Sequence, residues 1–141
     1  MLKKLTLTNF KNFSNISFDL EKINIFTGYN GRGKSTILQS LLLLSQSVIS
    51  KGNFEKLHLN GDWVNLGDFD EILNNPNSFI TKIHFNTDIE TCNEVHFEYG
   101  ISDDDKVAQL EETAYLDVSS CFPIILLYST GSISTACWIS L

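Results

Sequence analysis

The run Gly28-Tyr29-Asn30-Gly31-Arg32-Gly33-Lys34-Ser35 fits the spacing G-x-x-x-x-G-K-[ST]. At an average glycine usage of about 7%, a chain of this length matches that pattern by accident in well under about 1% of cases. The flanking residues make the same demand. Residues 22–27, K-I-N-I-F-T, form a short β-rich run, and from Lys34 the run KSTILQSLLLLSQSVI has no two-residue period and is apolar on nearly every face. The expectation is a deeply buried strand over residues 22–27, a glycine loop, and a buried helix that stops at Lys51-Gly52, since glycine after the last periodic residue is a usual helix stop.

Each residue type in the loop has a physical reason to be there. Glycine at 28, 31 and 33 lets the backbone take strained dihedrals and bring its N–H groups against phosphate oxygens. The helix that follows points its unpaired N–H groups and the positive end of its dipole at the same place. On this reading Gly28, Asn30, Gly31, Gly33, Lys34, Ser35 and Thr36 form a phosphate and magnesium site. Lys34 bridges the β- and γ-phosphates of ATP, the Ser35 hydroxyl supplies an oxygen to Mg2+, and Thr36 reaches the α-phosphate. Arg32 carries two readings, a phosphate contact and a solvated loop cation. The bland alternative for the whole loop is a glycine-rich turn with an incidental Lys-Ser. Gln39 and Gln46 are the only side chains on the helix with catalytic potential, and glutamines of this kind usually lie on a helix surface.

Outside the loop the two-residue period returns. Leu5 and Leu7 alternate with Thr6 and Thr8, and Ile16, Phe18 and Leu20 with Ser17 and Asp19, so two half-buried strands with a turn over residues 12–15 are expected. Residues 54–73 carry Asn60-Gly61 and Leu66-Gly67-Asp68 between short apolar pieces, which suggests a small irregular β excursion. Ile83 and Phe85 alternate with Lys82 and His84, and Val95, Phe97 and Tyr99 with Glu94, His96 and Glu98, the pattern of an antiparallel pair with Lys82 opposite Glu94 or Glu98. Residues 107–115 fit either a strand or a short helix. His58, His84, His96 and Cys92 are a conceivable metal set, but no ligand spacing singles out zinc, and a solvated cross-strand pattern is the reading taken. Asp103, Asp104 and Asp105 read as a solvated turn.

Charge divides the chain. Residues 1–60 hold eight Lys or Arg against three acids, and residues 61–141 hold two against fourteen. The overall −7 argues against a binder held to nucleic acid by its whole surface, while the basic first segment leaves room for a local anion site. Lys3, Lys4 and Lys11 fit either a nucleic-acid backbone or the protection of a strand edge. Three cysteines with no CxxC pair indicate neither a disulfide framework nor a zinc ribbon, and a reducing cytoplasm fits best. Thr6, Thr8, Asn9 and Lys11 interrupt any export signal. Residues 118–141 contain no charged side chain. Pro123, Gly131 and the serines keep them below the roughly 20 apolar residues of a membrane span, so no membrane is favoured. Two buried strands, over residues 124–128 and 136–141, and a non-native end both remain open for that tail.

The opening LTLTNFKNFSNISFDLEKINIFTGYNGRGKSTILQSLLLL resembles the N-terminal segment of SMC/RecF-type ATPases of the ABC class, through its N-F-K-N-F turn, the strand into the loop and G-x-N-G-x-G-K-S-T. The later LNGDWVNLGDFDEI is similar to a stretch in bacterial AAA-family ATPases of the RecF/OLD-like group, many linked to phage defence or DNA repair. The resemblance implies an α/β fold, the N-terminal half of a P-loop NTPase head with an antiparallel β lobe that includes the strands near residues 80–101. It divides the chain into an ATPase part, residues 1–117, and the uncharged tail, residues 118–141. It further implies ATP and Mg2+ as ligands, homo- or hetero-oligomers that sandwich ATP between heads, and nucleic acid reached through the assembled complex.

The same resemblance exposes what is missing. A Walker B segment needs an acidic pair after four apolar residues, and Tyr128 and Ser129 follow residues 124–127 instead. Residues 129–132, STGS, lack the flanks of a signature motif, and Gln46 lies too close to the loop to be a Q-loop glutamine. An incomplete head that binds ATP without appreciable hydrolysis is therefore expected, with a non-catalytic interaction or regulatory protein that keeps the head fold as the alternative. A small-molecule kinase shares the loop but lacks a recognisable lid.

Overall fold

The computed structural model describes residues 1–51, 56–88, 94–101 and 108–112. Five strands, β1 (Leu2–Phe10), β2 (Phe13–Asp19), β3 (Ile80–Thr87), β4 (Glu94–Ile101) and β5 (Ala108–Glu112), form one sheet in the order β2-β1-β3-β4-β5. Every neighbouring pair is antiparallel. Helix α1 (Lys34–Lys51) follows the glycine loop, and a one-turn helix α2 (Phe69–Ile72) and a 3-10 turn (Pro76–Ser78) precede β3.

Alternation decides the faces. Leu5, Leu7, Ile83, Phe85, Val95, Phe97 and Tyr99 are buried on one side and join Ile37, Leu43, Leu44 and Val48 of α1 in a single core. Burial pushes the Tyr99 phenol up. The opposite side is polar: in register across the sheet run Ser17, Thr6, His84 and His96, and beside them Asn15, Thr8, Lys82 and Glu98. Lys82 Nζ donates to Glu98 Oε2 at 2.5 Å, so Glu98 and not Glu94 is its partner. Because β1 lies inside the sheet, Lys3 and Lys4 do not protect a strand edge.

Helix α1 buries polar residues as well as leucines. The hydroxyls of Ser40, Ser45 and Ser47 donate to the carbonyls of Ile37, Leu41 and Leu43 one turn back, which satisfies their protons within the helix.

Three expectations need correction. The turn between β1 and β2 is only Lys11-Asn12, with Phe10 paired to Phe13, and not residues 12–15. The excursion before β3 is no regular strand among the described residues: Asn60 and Asn65 meet in an isolated bridge, and the segment ends in α2, where a helix was not expected. Residues 22–27 form no strand and are not buried: Ile23 is 63% and Ile25 82% exposed. A strand needs a ladder partner for its N–H and C=O groups, and none runs beside this segment among the described residues. Only Phe26 is packed, edge-on against Phe18 at 5.9 Å between ring centres. Residues 107–115 resolve as a strand over Ala108–Glu112. The strands expected over residues 124–128 and 136–141, the Asp103–Asp105 turn and Cys92 lie outside the described residues.

Candidate functional site

The loop between residues 28 and 33 owes its shape to its glycines. Gly28, Gly31 and Gly33 have φ of +144°, +80° and +88°, the region that other residues enter only with strain. Nothing approaches within 4 Å of where a Cβ would stand on Gly28 or Gly31, so the backbone there faces open space that a ligand can enter. At Gly33 a Cβ would lie 2.5 Å from the Phe13 ring. Absence of a side chain is thus required there twice, by dihedral and by space.

Lys34 Nζ donates to the carbonyls of Gly28 at 2.8 Å and Tyr29 at 2.9 Å, which draws the ammonium across the mouth of the loop. Asn30, Arg32 and Ser35 are exposed around that mouth. Thr36 is buried, and its N–H donates to the Gly33 carbonyl at 3.0 Å, closing the turn that starts α1. The first turn of α1 carries no acidic side chain, so nothing there opposes an anion. Gly28, Asn30, Gly31, Arg32, Gly33, Lys34, Ser35 and Thr36 therefore surround one rim, and the donor set, with a cationic amine, a hydroxyl and glycine backbone, suits a polyphosphate with a hard cation.

Sequence reasoning did not find what holds the loop. The β1–β2 turn does so: Asn12 Nδ2 donates to the Gly31 carbonyl at 3.1 Å, Phe13 packs on Gly33, and Lys11 Nζ reaches Gln39 Oε1 at 3.4 Å. That pairing occupies Lys11 and Gln39 with each other. The turn is itself bolted down by Asn9, buried with φ +53°. Asn9 Nδ2 donates to the carbonyls of Ile80 at 2.7 Å and Asn75 at 3.3 Å, while its Oδ1 accepts from Asn75 N–H at 2.6 Å. The one available signal was asparagine itself, which tolerates left-handed backbone better than most residues.

Gln46 is not on the helix surface. It is 5% exposed, its Oε1 accepts from the N–H groups of Trp63 and Val64 at 3.0 Å each, and its Nε2 donates to the carbonyls of His58 at 2.6 Å and Val64 at 3.1 Å. It pins the excursion to α1 and faces no reaction site. His58 is held in the same contact, its N–H donating to Ser47 Oγ at 2.8 Å, and so stands apart from His84 and His96. Those two histidines do meet, their rings stacked at 3.7 Å. Burial first, and the neighbouring His96 second, hold the His84 imidazole below the ordinary histidine range. Among the described residues no helix is long and apolar enough to cross a membrane.

Comparison with known proteins fits this geometry. The sequence model described as an AAA ATPase domain matches residues 1–128. The DNA replication and repair protein RecF of Clostridium acetobutylicum is 41% identical over 56 residues, covering 39% of this chain and 15% of that protein. RecF of Flavobacterium johnsoniae is 49% identical over 45 residues, covering 31% of this chain and 12% of the relative. An ATP/GTP phosphatase of Helicobacter pylori is 44% identical over 45 residues, with the same 31% and 12% coverage. The chain thus spans a small fraction of the length of these relatives.

Proposed function

The chain belongs to the AAA ATPase domain family, and from that premise we propose that its loop from Gly28 to Thr36 binds the phosphates of ATP together with a magnesium ion. The observation that carries this reading is the set of three left-handed glycines at the head of α1, two of them open to a ligand, with Lys34 reaching over the same rim. In it Gly28, Asn30, Gly31 and Gly33 present backbone N–H groups, Lys34 neutralises the β- and γ-phosphates, Ser35 supplies a metal oxygen and Thr36 lies toward the α-phosphate. Arg32, exposed on the rim, is a further cation available to a phosphate. Bound magnesium would supply charge neutralisation at the phosphates.

Hydrolysis is a separate matter. Neither an acidic pair nor a signature segment is identifiable in the sequence, so positioning alone supplies part of the barrier reduction and turnover by this chain is expected to be absent or very slow. The reading places the chain as the N-terminal part of an SMC/RecF-like head in the cytoplasm. Such a head completes its site by pairing with another head or with a missing half, and meets nucleic acid only in that assembly. The names of the RecF relatives favour DNA repair as the process, with phage defence the other reading.

A second reading, a non-catalytic partner of a complete ATPase, is favoured by the exposed Ile23 and Ile25 immediately before the loop, because apolar residues in an unpaired segment suit docking. Calorimetric titration of the chain with Mg-ATP, Mg-GTP and a non-hydrolysable analogue, beside Lys34→Ala, tests the first reading. Micromolar binding lost in Lys34→Ala supports it. A folded chain that binds no nucleotide overturns it in favour of the second. Turnover above about one ATP per minute, lost in Lys34→Ala, would overturn the expectation of inactivity, since assembled enzymes of this chemistry start near 1 per second.

A further inference from the structure

The polar face of the sheet carries a cluster that the nucleotide site does not use. His84 on β3 stands directly opposite His96 on β4, and Glu94 lies two residues before His96, so the period of a strand puts all three on one face. The imidazole planes are inclined by 23° with centres 3.7 Å apart. Both Nε2 atoms address the same oxygen: Glu94 Oε1 lies 3.0 Å from Nε2 of His84 and 3.5 Å from Nε2 of His96. One ligand atom from each residue lies within 4.8 Å of the other two. Zinc bonds of about 2.0–2.1 Å at tetrahedral angles require ligand atoms about 3.4 Å apart, and the two measured separations bracket that value.

A second observation separates this cluster from an ordinary solvated pattern. His84 Nε2 is shielded from solvent, and the group that faces it is Glu94 Oε1 at 3.0 Å. A ring nitrogen shielded from water beside a carboxylate oxygen is satisfied either by a proton shared between the two or by a cation that both ligate. The geometry points to a binding site for a divalent transition ion of the zinc class, formed by His84, Glu94 and His96, with the remaining coordination position open to solvent. Two imidazoles and one carboxylate favour zinc over magnesium or calcium, which take oxygen ligands. Such an ion would tie β3 to β4 across the connection at residues 88–93. The ammonium of Lys4, near enough to act on His84, lowers the affinity of the site for a cation.

The test is calorimetric titration of the full chain with zinc chloride under reducing conditions, accompanied by the visible spectrum of the cobalt-loaded chain. The expected result is one equivalent bound with micromolar affinity, a spectrum without thiolate bands, and a rise in melting temperature on adding zinc. His96→Gln and Glu94→Gln each lower the affinity by about tenfold or more, in line with losing a ligand. Both residues are about half exposed, so the folded sheet is expected to tolerate either change, which circular dichroism checks. No saturable binding by the folded chain overturns the proposal. So does binding that both variants leave unchanged, which would assign the zinc to the cysteines.

Discussion

Replacing Gln46 by leucine leaves three main-chain groups without their partner, the N–H of Trp63, the N–H of Val64 and the C=O of His58, and takes from the Val64 C=O one of two donors, the other being the Gly61 N–H at 2.9 Å. Trp63 and His58 lie near enough to the surface for water to take over, at about 1 kcal/mol each, whereas the buried Val64 N–H costs about 2 kcal/mol and the Val64 C=O, still bonded to Gly61, about 1 kcal/mol. The leucine recovers part of this through apolar burial, leaving a net loss of about 4 kcal/mol. That is a large part of the 5–15 kcal/mol or so by which domains are usually stable. With a urea slope of about 2 kcal/mol per molar, the unfolding midpoint falls by about 2 M. Amide exchange at Trp63 and Val64 accelerates in parallel. A midpoint shift below about 0.5 M, equivalent to about 1 kcal/mol, would refute the assignment of Gln46 as a fully bonded staple. A double-mutant cycle sharpens the test, because a Cβ at Gly61 would lie 2.6 Å from the Gln46 amide carbon. Gly61→Ala therefore destabilises the native chain but costs less once Gln46→Ala has cleared the space.

Three further outcomes are expected. Gly33→Ala forces a side chain into φ +88° and against Phe13, so it lowers stability by about 1–3 kcal/mol and weakens Mg-ATP binding at least tenfold by calorimetry; unchanged affinity would contradict the loop assignment. Asn9→Ala loses three hydrogen bonds and keeps a left-handed backbone, so urea unfolding shows a loss of about 3–4 kcal/mol, while Asn9→Gly, which enters that region freely, loses about 1 kcal/mol less; equal losses would show that the backbone conformation contributes nothing. Ile23→Lys with Ile25→Lys changes the chain's own stability by less than about 0.5 kcal/mol in urea unfolding, because both side chains are exposed; a large loss of stability would mean the segment is buried after all.

What the sequence made legible was whatever depends on period and on neighbours along the chain. β1 to β4 follow from apolar residues at every second position, α1 from an unbroken apolar run, and the loop from glycines whose dihedrals are local. The register of Lys82 with Glu98 settled an alternative that period alone left open. The failures have one physical form. Residues 22–27 have strand composition, but a strand exists only when another chain segment completes its hydrogen bonds, and composition does not record that segment. Gln46 looked like a surface glutamine because its four partners come from residues 58–64 and share no pattern with it. That His84 and His96 share a polar face did follow from the alternation; the register across β3 and β4, which sets them directly opposite each other, did not.

These contacts also bear on how the loop can work. From the far side it is held by the β1–β2 turn, through Asn12 on Gly31 and Phe13 on Gly33, and that turn is fixed by Asn9 to the segment leading into β3. From the near side, among the described residues, the ring of Phe26 resting on Phe18 is what ties residues 22–27 to the sheet. A phosphate cradle needs both flanks fixed if its N–H groups are to converge before the ligand arrives; otherwise binding must also order the loose flank, at about 1–2 kcal/mol for each residue fixed. Pairing residues 22–27 with a further strand, from this chain or from another, would remove that cost and tighten nucleotide binding without adding a contact to the nucleotide. The same exposed isoleucines would therefore connect the two proposed readings: a nucleotide site weakened by its loose flank and an apolar segment completed by a partner would be one device.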